Sequence, residues 1–254
     1  MHWLRTDARR VPAAASTPRS ADNQPMAPVQ TSKKTLVLCD GDLPGMVALS
    51  LIQDAQRSAD AIGVLAAPVA ADHAEAIAAR IRLLAESQAV ECLDFPAVAP
   101  ATLSSGHRRT RYLTEAVHQA LSNGYAALVC PWQAGTFDPE KPAGIDDVPG
   151  VESLARELDR ALLVSRLVTL DAVEHGVSVF EIQTPLMDLS DAQVAEMALD
   201  LDVPIWRAWW WEAAAGKRAR DPGVADRANA CRERWCAALE SLGWSIDAEL
   251  AAAR

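Results

Sequence analysis

TLVLCDGDLPGMVALSL, residues 35–51, decides the fold. Thr35, Leu36, Val37 and Leu38 form an apolar, partly β-branched run that suits a strand covered on both faces, as in a parallel α/β sheet. Gly41 and Gly45 bracket a turn. Pro44 fits a first helical position, where its missing N–H costs nothing, and Met46, Val47, Leu49 and Leu51 continue as a helix. A strand that hands over to a helix in this way gathers backbone N–H groups at the strand's carboxyl end, where phosphates are commonly bound. Here the turn carries Asp40 and Asp42. Two carboxylates where an anion would sit argue against an anionic ligand.

Outward from this stretch, the chain of 254 residues, half of them hydrophobic, is long enough to bury one good core. The composition divides it into a disordered Ala, Pro, Ser, Thr and Arg-rich tail (1–34), an α/β domain (35–204) and a Trp-rich helical extension (205–254). Met26 offers a second initiation point in the tail. A formal net charge of −10 disfavours the electrostatic footprint of a nucleic-acid binder. The odd number of cysteines (Cys39, Cys92, Cys130, Cys231, Cys236), mostly within apolar runs, reads as reduced packing residues of a cytoplasmic protein. No stretch approaches the ~20 apolar residues of a membrane span, and the first residues lack the apolar core of a signal peptide.

Strands are expected at 61–67, 90–95, 125–130 and 177–183, and helices between them. Ala74, Ile77, Ile81 and Leu84 mark one buried helical face; Leu113, Val117, Ala120 and Leu121 mark another, stopped by Asn123 and Gly124. His107, Arg108, Arg109 and Arg111 form a basic cluster ahead of that second helix. A Pro- and Gly-rich loop spans Pro131–Gly150, and a length of that kind is usually functional. Helix 151–170 follows. Ser190 and Gln193 make a capping box, and Pro204 confirms a helix end near Asp202. Alternating strands and helices predict a three-layer α/β/α fold around a mostly parallel five-stranded, Rossmann-like sheet.

Two regions together resemble a known family. Residues 36–51 resemble the PP-loop of N-type ATP pyrophosphatases, Ser-Gly-Gly-x-Asp-Ser after an apolar strand. Residues 182–204, IQTPLMDLSDAQVAEMALDLDVP, resemble the stretch that 7-cyano-7-deazaguanine synthases carry before a zinc-binding tail, and Cys231-Arg232-Glu233-Arg234 resembles the end of that tail. The resemblance runs from roughly Thr35 to Gly243. It implies an adenine nucleotide alpha-hydrolase-like fold, and ATP, magnesium and zinc as the family's cofactors. It also implies a place in queuosine or other deazapurine biosynthesis, where relatives adenylate a carboxylate and then amidate it.

The departures point away from that chemistry. The family Ser falls on Asp40, the first Gly on Gly41, the second Gly on Asp42, the Asp on Pro44 and the final Ser on Gly45. Asp42 supplies its own carboxylate where amides would wrap a pyrophosphate, and caps the helix from within. The family lysine of the capping-box helix falls on Asp191. The four zinc-ligand positions fall on Trp211, Ala225, Ala228 and Cys231, and one cysteine does not hold structural zinc; no metal or cofactor is expected. Arg109, near a nucleotide-facing segment of the family, is the candidate for a retained anion contact. Trp209, Trp210 and Trp211 are candidate binding surfaces, although four indoles within residues 206–211 require that some pack inside. Cys231, Trp235, Ala238 and Leu242 form the helical face expected to cover them.

Asp40-x-Asp42 after a strand also suits a haloacid-dehalogenase-type phosphohydrolase, with the first carboxylate as nucleophile beside magnesium. Asp146 and Asp147 read as solvated loop acids, and His73, His107, His118 and His175 lack ligand spacing. Three readings therefore stand: a non-catalytic binding or scaffolding homologue of the synthases, working with a protein partner, as a homodimer or on a deazapurine; an active ATP-dependent ligase with a rebuilt phosphate loop; and a magnesium-dependent phosphohydrolase using Asp40 and Asp42.

Overall fold

The computed structural model describes residues 33–56, 61–67, 74–95, 105–134, 150–214 and 222–245. Five strands, β1 (Thr35–Cys39), β2 (Ile62–Ala66), β3 (Glu91–Asp94), β4 (Ala127–Val129) and β5 (Glu181–Gln183), form one sheet in the order β3-β2-β1-β4-β5, every neighbouring pair parallel. The predicted three-layer α/β architecture is the one observed. The strands are shorter than the apolar runs that announced them: Tyr125 and Phe180 lie outside the ladder yet are buried, because hydrophobicity marks burial and only pairing marks a strand.

Alternation along β1 shows why a strand read as apolar throughout must be central. Val37 and Cys39 belong to the core on one face of the sheet, Leu36 and Leu38 to the core on the other. The first face is covered by α1 (Leu43–Ala55), α2 (Ala74–Ser87), α5 (Asp191–Asp200), α6 (Trp209–Ala214) and α7 (Pro222–Ser241); the second by α3 (Ser105–Ser122) and α4 (Val151–Ala172). The chain runs outward from β1 to β3 with its helices on the first face, then returns to β4 through α3 on the second. This reversal opens the crevice between the carboxyl ends of β1 and β4.

Several local expectations are refined. α1 begins at Leu43, so Pro44 occupies its second position and Asp42 is the N-cap. α3 begins at Ser105, which places Arg109 and Arg111 inside the helix and not ahead of it. α5 ends at Asp200, two residues before the expected stop, because Asp202 adopts a positive φ of 50°. The capping box is present in full: Gln193 N donates to Ser190 Oγ (3.3 Å) and Ser190 N to Gln193 Oε1 (2.9 Å). Residues 205–214 and 222–245 share the first-face core through Ile205, Trp209, Trp210, Ala228 and Trp235, so the Trp-rich segment is part of the same folded unit. Leu242 lies exposed at the end of α7, and Leu239 takes the buried position instead.

Candidate functional site

The turn after β1 is held by its own side chains. Asp42 N donates to Asp40 Oδ1 (3.0 Å), and Leu43 N donates to Asp42 Oδ1 (2.8 Å). The same Asp42 oxygen accepts the indole N–H of Trp210 at 2.7 Å. Gly41 takes a φ of +77°, a region open to glycine without strain, and its carbonyl accepts the Trp209 amide at 3.1 Å. The first turn of α6 therefore closes over the loop from outside. Gly45 allows the loop to fold back on itself: a Cβ there would stand 3.0 Å from Asp40 Oδ1 and 3.1 Å from Cys39 Sγ.

Burial and the neighbouring Asp42 carboxylate push Asp40 up to about 7, against the pull of the Asp42 amide and of the Arg234 guanidinium. Burial also raises the Cys39 thiol and the Tyr112 hydroxyl, and in both the Asp40 charge adds to the shift. Tyr112 belongs to a run of rings on the second face: it stacks on Phe95 with centroids 4.3 Å apart and meets Trp132 at 6.2 Å.

Past the end of β4, Gln133 is buried and donates to Leu189 O (3.0 Å) and to Asp191 Oδ1 (3.1 Å). Arg234 of α7 grips the buried Asp191 with both ends of its guanidinium, through Nε at 2.6 Å and a terminal nitrogen at 2.5 Å, and reaches Gln133 Oε1 at 3.0 Å. It also lies over the Trp235 ring, 4.4 Å from the centroid. The sequence marks Asp191 as the position of a lost lysine but carries no local signal that brings Arg234 or Gln133 to it. The cation reaches Asp191 from another helix, 43 positions away, and is neutralised there.

Arg109 sits on α3 with a terminal nitrogen 2.7 Å from Glu157 of α4, which also binds Arg160. Glu157 is buried in this three-residue cluster, and desolvation, opposed by Glu157, lowers the affinity of Arg109 for its proton. The charge of Arg109 is thus engaged inside the protein. Of the indoles, Trp210 is fully buried, Trp209 is buried, Trp211 is half-buried between Trp210 and Trp244, and Trp206 is exposed. Ala228 is buried beside them and Cys231 packs against the same core. Ala225 lies in α7.

None of the five cysteines is in a disulfide, and among the described residues no group of three or more His, Cys, Asp or Glu side chains is placed to hold a metal. Asp146 and Asp147 lie outside the described residues; His118 and His175 are exposed and apart from the crevice network. No described helix is long and apolar enough to cross a membrane. Two surface clefts of about 480 and 530 Å³, one against Gln53, Asp54 and Asp200, the other against Leu83, Trp206 and Arg207, involve none of the loop residues.

No protein-family model matches the sequence, and no curated protein matches it. Among solved structures the chain is similar to the U34-tRNA thiolase NcsA from Methanococcus maripaludis, determined with its [4Fe-4S] cluster. The identity is 12%, the TM-score 0.39, and the superposition covers 83% of this chain and 74% of that one.

Proposed function

We propose that this chain is a non-catalytic relative of the 7-cyano-7-deazaguanine synthases, built on an ATP pyrophosphatase fold and working in the cytoplasm as a binding or scaffolding protein. One observation carries the reading: the loop that would cradle a triphosphate is satisfied from within. The Asp42 and Leu43 amides already donate to the Asp40 and Asp42 carboxylates, and Trp210 seals the same oxygen. An incoming phosphate would have to displace both acceptors and remain beside the Asp42 carboxylate, joined by a charged Asp40 as the pH rises past about 7. At about 4 Å each such pair of charges repels by roughly 4 kcal/mol in a partly buried setting.

The cation of the crevice supports the same reading. Arg234 is consumed by Asp191 and Gln133, leaving Asp40 and Asp42 without a bonded cation among the described residues. A crevice of this charge suits a neutral or cationic guest, such as a purine-like base, better than a nucleotide.

Titration calorimetry of the full chain with ATP and magnesium, and separately with 7-cyano-7-deazaguanine, tests the proposal. The expected result is no heat with ATP. Micromolar ATP binding would favour the active-ligase alternative, and a phosphatase activity abolished by Asp40→Asn would favour the phosphohydrolase. Heat with the deazapurine alone would identify the guest.

A further inference from the structure

Eight of the eleven large hydrophobic side chains that stand exposed among the described residues fall between residues 151 and 179, on α4 and the turn that follows it. α4 is 22 residues, about 33 Å, long. Its buried side is defined by Ala161, Val164, Val168 and Ala172. At 100° per residue Leu158 and Leu162 run along one flank of the exposed side, Leu163 and Leu167 along the other, and Leu170 stands nearly opposite the buried stripe. Leu163 and Leu170 are 63% and 74% exposed. Isolated surface leucines need no explanation, but two continuous rows on one helix mark an interaction surface.

Between the two rows lie Asp159 and Arg166, seven residues and therefore two turns apart, both exposed. Neither makes a hydrogen bond or an ion pair among the described residues. We propose that this face of α4 binds the same face of a second copy of the chain, antiparallel, about a two-fold axis that passes the helix between Leu162 and Leu163. The charges select this occupant. With the axis at that point, Asp159 of each copy lies opposite Arg166 of the other, giving two ion pairs enclosed by leucine. Symmetry brings Leu162 against its own copy on one flank and Leu163 against its own on the other, while Leu158 of one copy and Leu167 of the other stand level with each ion pair, one on each side of it. A helix made to lie on an anionic membrane would instead carry an excess of Lys and Arg beside its apolar rows, and here the central charges balance.

The test is analytical ultracentrifugation of the full chain over a concentration series. A reversible monomer–dimer equilibrium is expected. Asp159→Arg or Arg166→Asp alone sets like charges face to face twice in the dimer, and each should raise the dissociation constant roughly tenfold or more. The two changes together recreate the pairs in reverse and should restore it. Both sites are exposed, so circular dichroism should show the variants folded. A chain monomeric at every concentration, or one that instead co-floats with lipid vesicles, overturns the proposal. So does a dimer that both single exchanges leave intact.

Discussion

The indole Nε1 of Trp210 lies 2.7 Å from Asp42 Oδ1, joining two residues 168 positions apart in the chain. The contact ties α6 to the N-cap of α1 and leaves the loop without a spare carboxylate oxygen on that side. Trp210 is fully buried, so Trp210→Phe keeps most of the apolar packing but removes the donor and opens a small void. We expect a loss of about 2–3 kcal/mol, a fall of roughly 4–10 °C in Tm. In a double-mutant cycle with Asp42→Ala the two losses should couple by more than about 1 kcal/mol. Strict additivity would show that the contact has no energetic weight.

Asp40 gives the fold a pH dependence of definite sign. Its carboxyl titrates near 7 in the folded chain and near 3.8 in the unfolded one, so between these values the native state holds a proton that the unfolded state has released. This group therefore lowers stability progressively as pH rises from about 4 to about 7, and the penalty is complete above that. Asp40→Asn keeps an oxygen for the Asp42 amide and removes the charge. Denaturation at pH 8 should find the variant more stable, on the order of 4 kcal/mol for a rise from 3.8 to about 7, with the gain vanishing near pH 4. Equal stability at both pH values would contradict the raised titration.

Arg234 and Asp191 form a pair whose halves are unequal to remove. Arg234→Met strands a buried carboxylate and should cost about 3–5 kcal/mol. Adding Asp191→Leu removes the stranded charge, while Gln133 keeps its bond to Leu189 O, and most of the loss should return. Chemical denaturation of the three variants measures this. A double variant as weak as the single one would show that the network itself, and not relief of an orphaned charge, holds α5 to α7.

What the sequence disclosed and withheld follows from the range of each interaction. The strand and helix order, the Asp42 cap and the Ser190–Gln193 box depend on neighbours within four residues, and pattern alone exposes them. Four indoles in six residues announced that some are buried, and Trp210 is; which one meets the loop depends on how α6 lands on α1, which no local pattern encodes. Arg109 stood out as a cation near a turn, but its partner Glu157 sits on α4, across a segment of the chain that carries no pairing signal. Gln133 within Pro131-Trp132-Gln133-Ala134 was legible only as part of a loop, because its amide bonds to residues 56 and 58 positions away.

If the loop's own carboxylates keep nucleotide out, removing them should let it in. Asp40→Ser with Asp42→Gly restores the serine and the second glycine of the resembled pattern at their own positions, freeing the Asp42→Gly and Leu43 amides. The variant loses its N-cap and leaves the Trp210 N–H without an acceptor, so it should be less stable by about 2–4 kcal/mol. It should nonetheless bind ATP with magnesium more tightly than the parent chain by calorimetry at low salt and pH 8, where Asp40 of the parent is ionised, since each charged carboxylate removed relieves roughly 4 kcal/mol of repulsion at 4 Å. Arg234 remains locked to Asp191, so the gain should be in binding and not in turnover. A folded variant as indifferent to ATP as the parent would mean that the crevice is closed by the packing of Trp209 and Trp210 over Gly41, and that charge is not what excludes the phosphate.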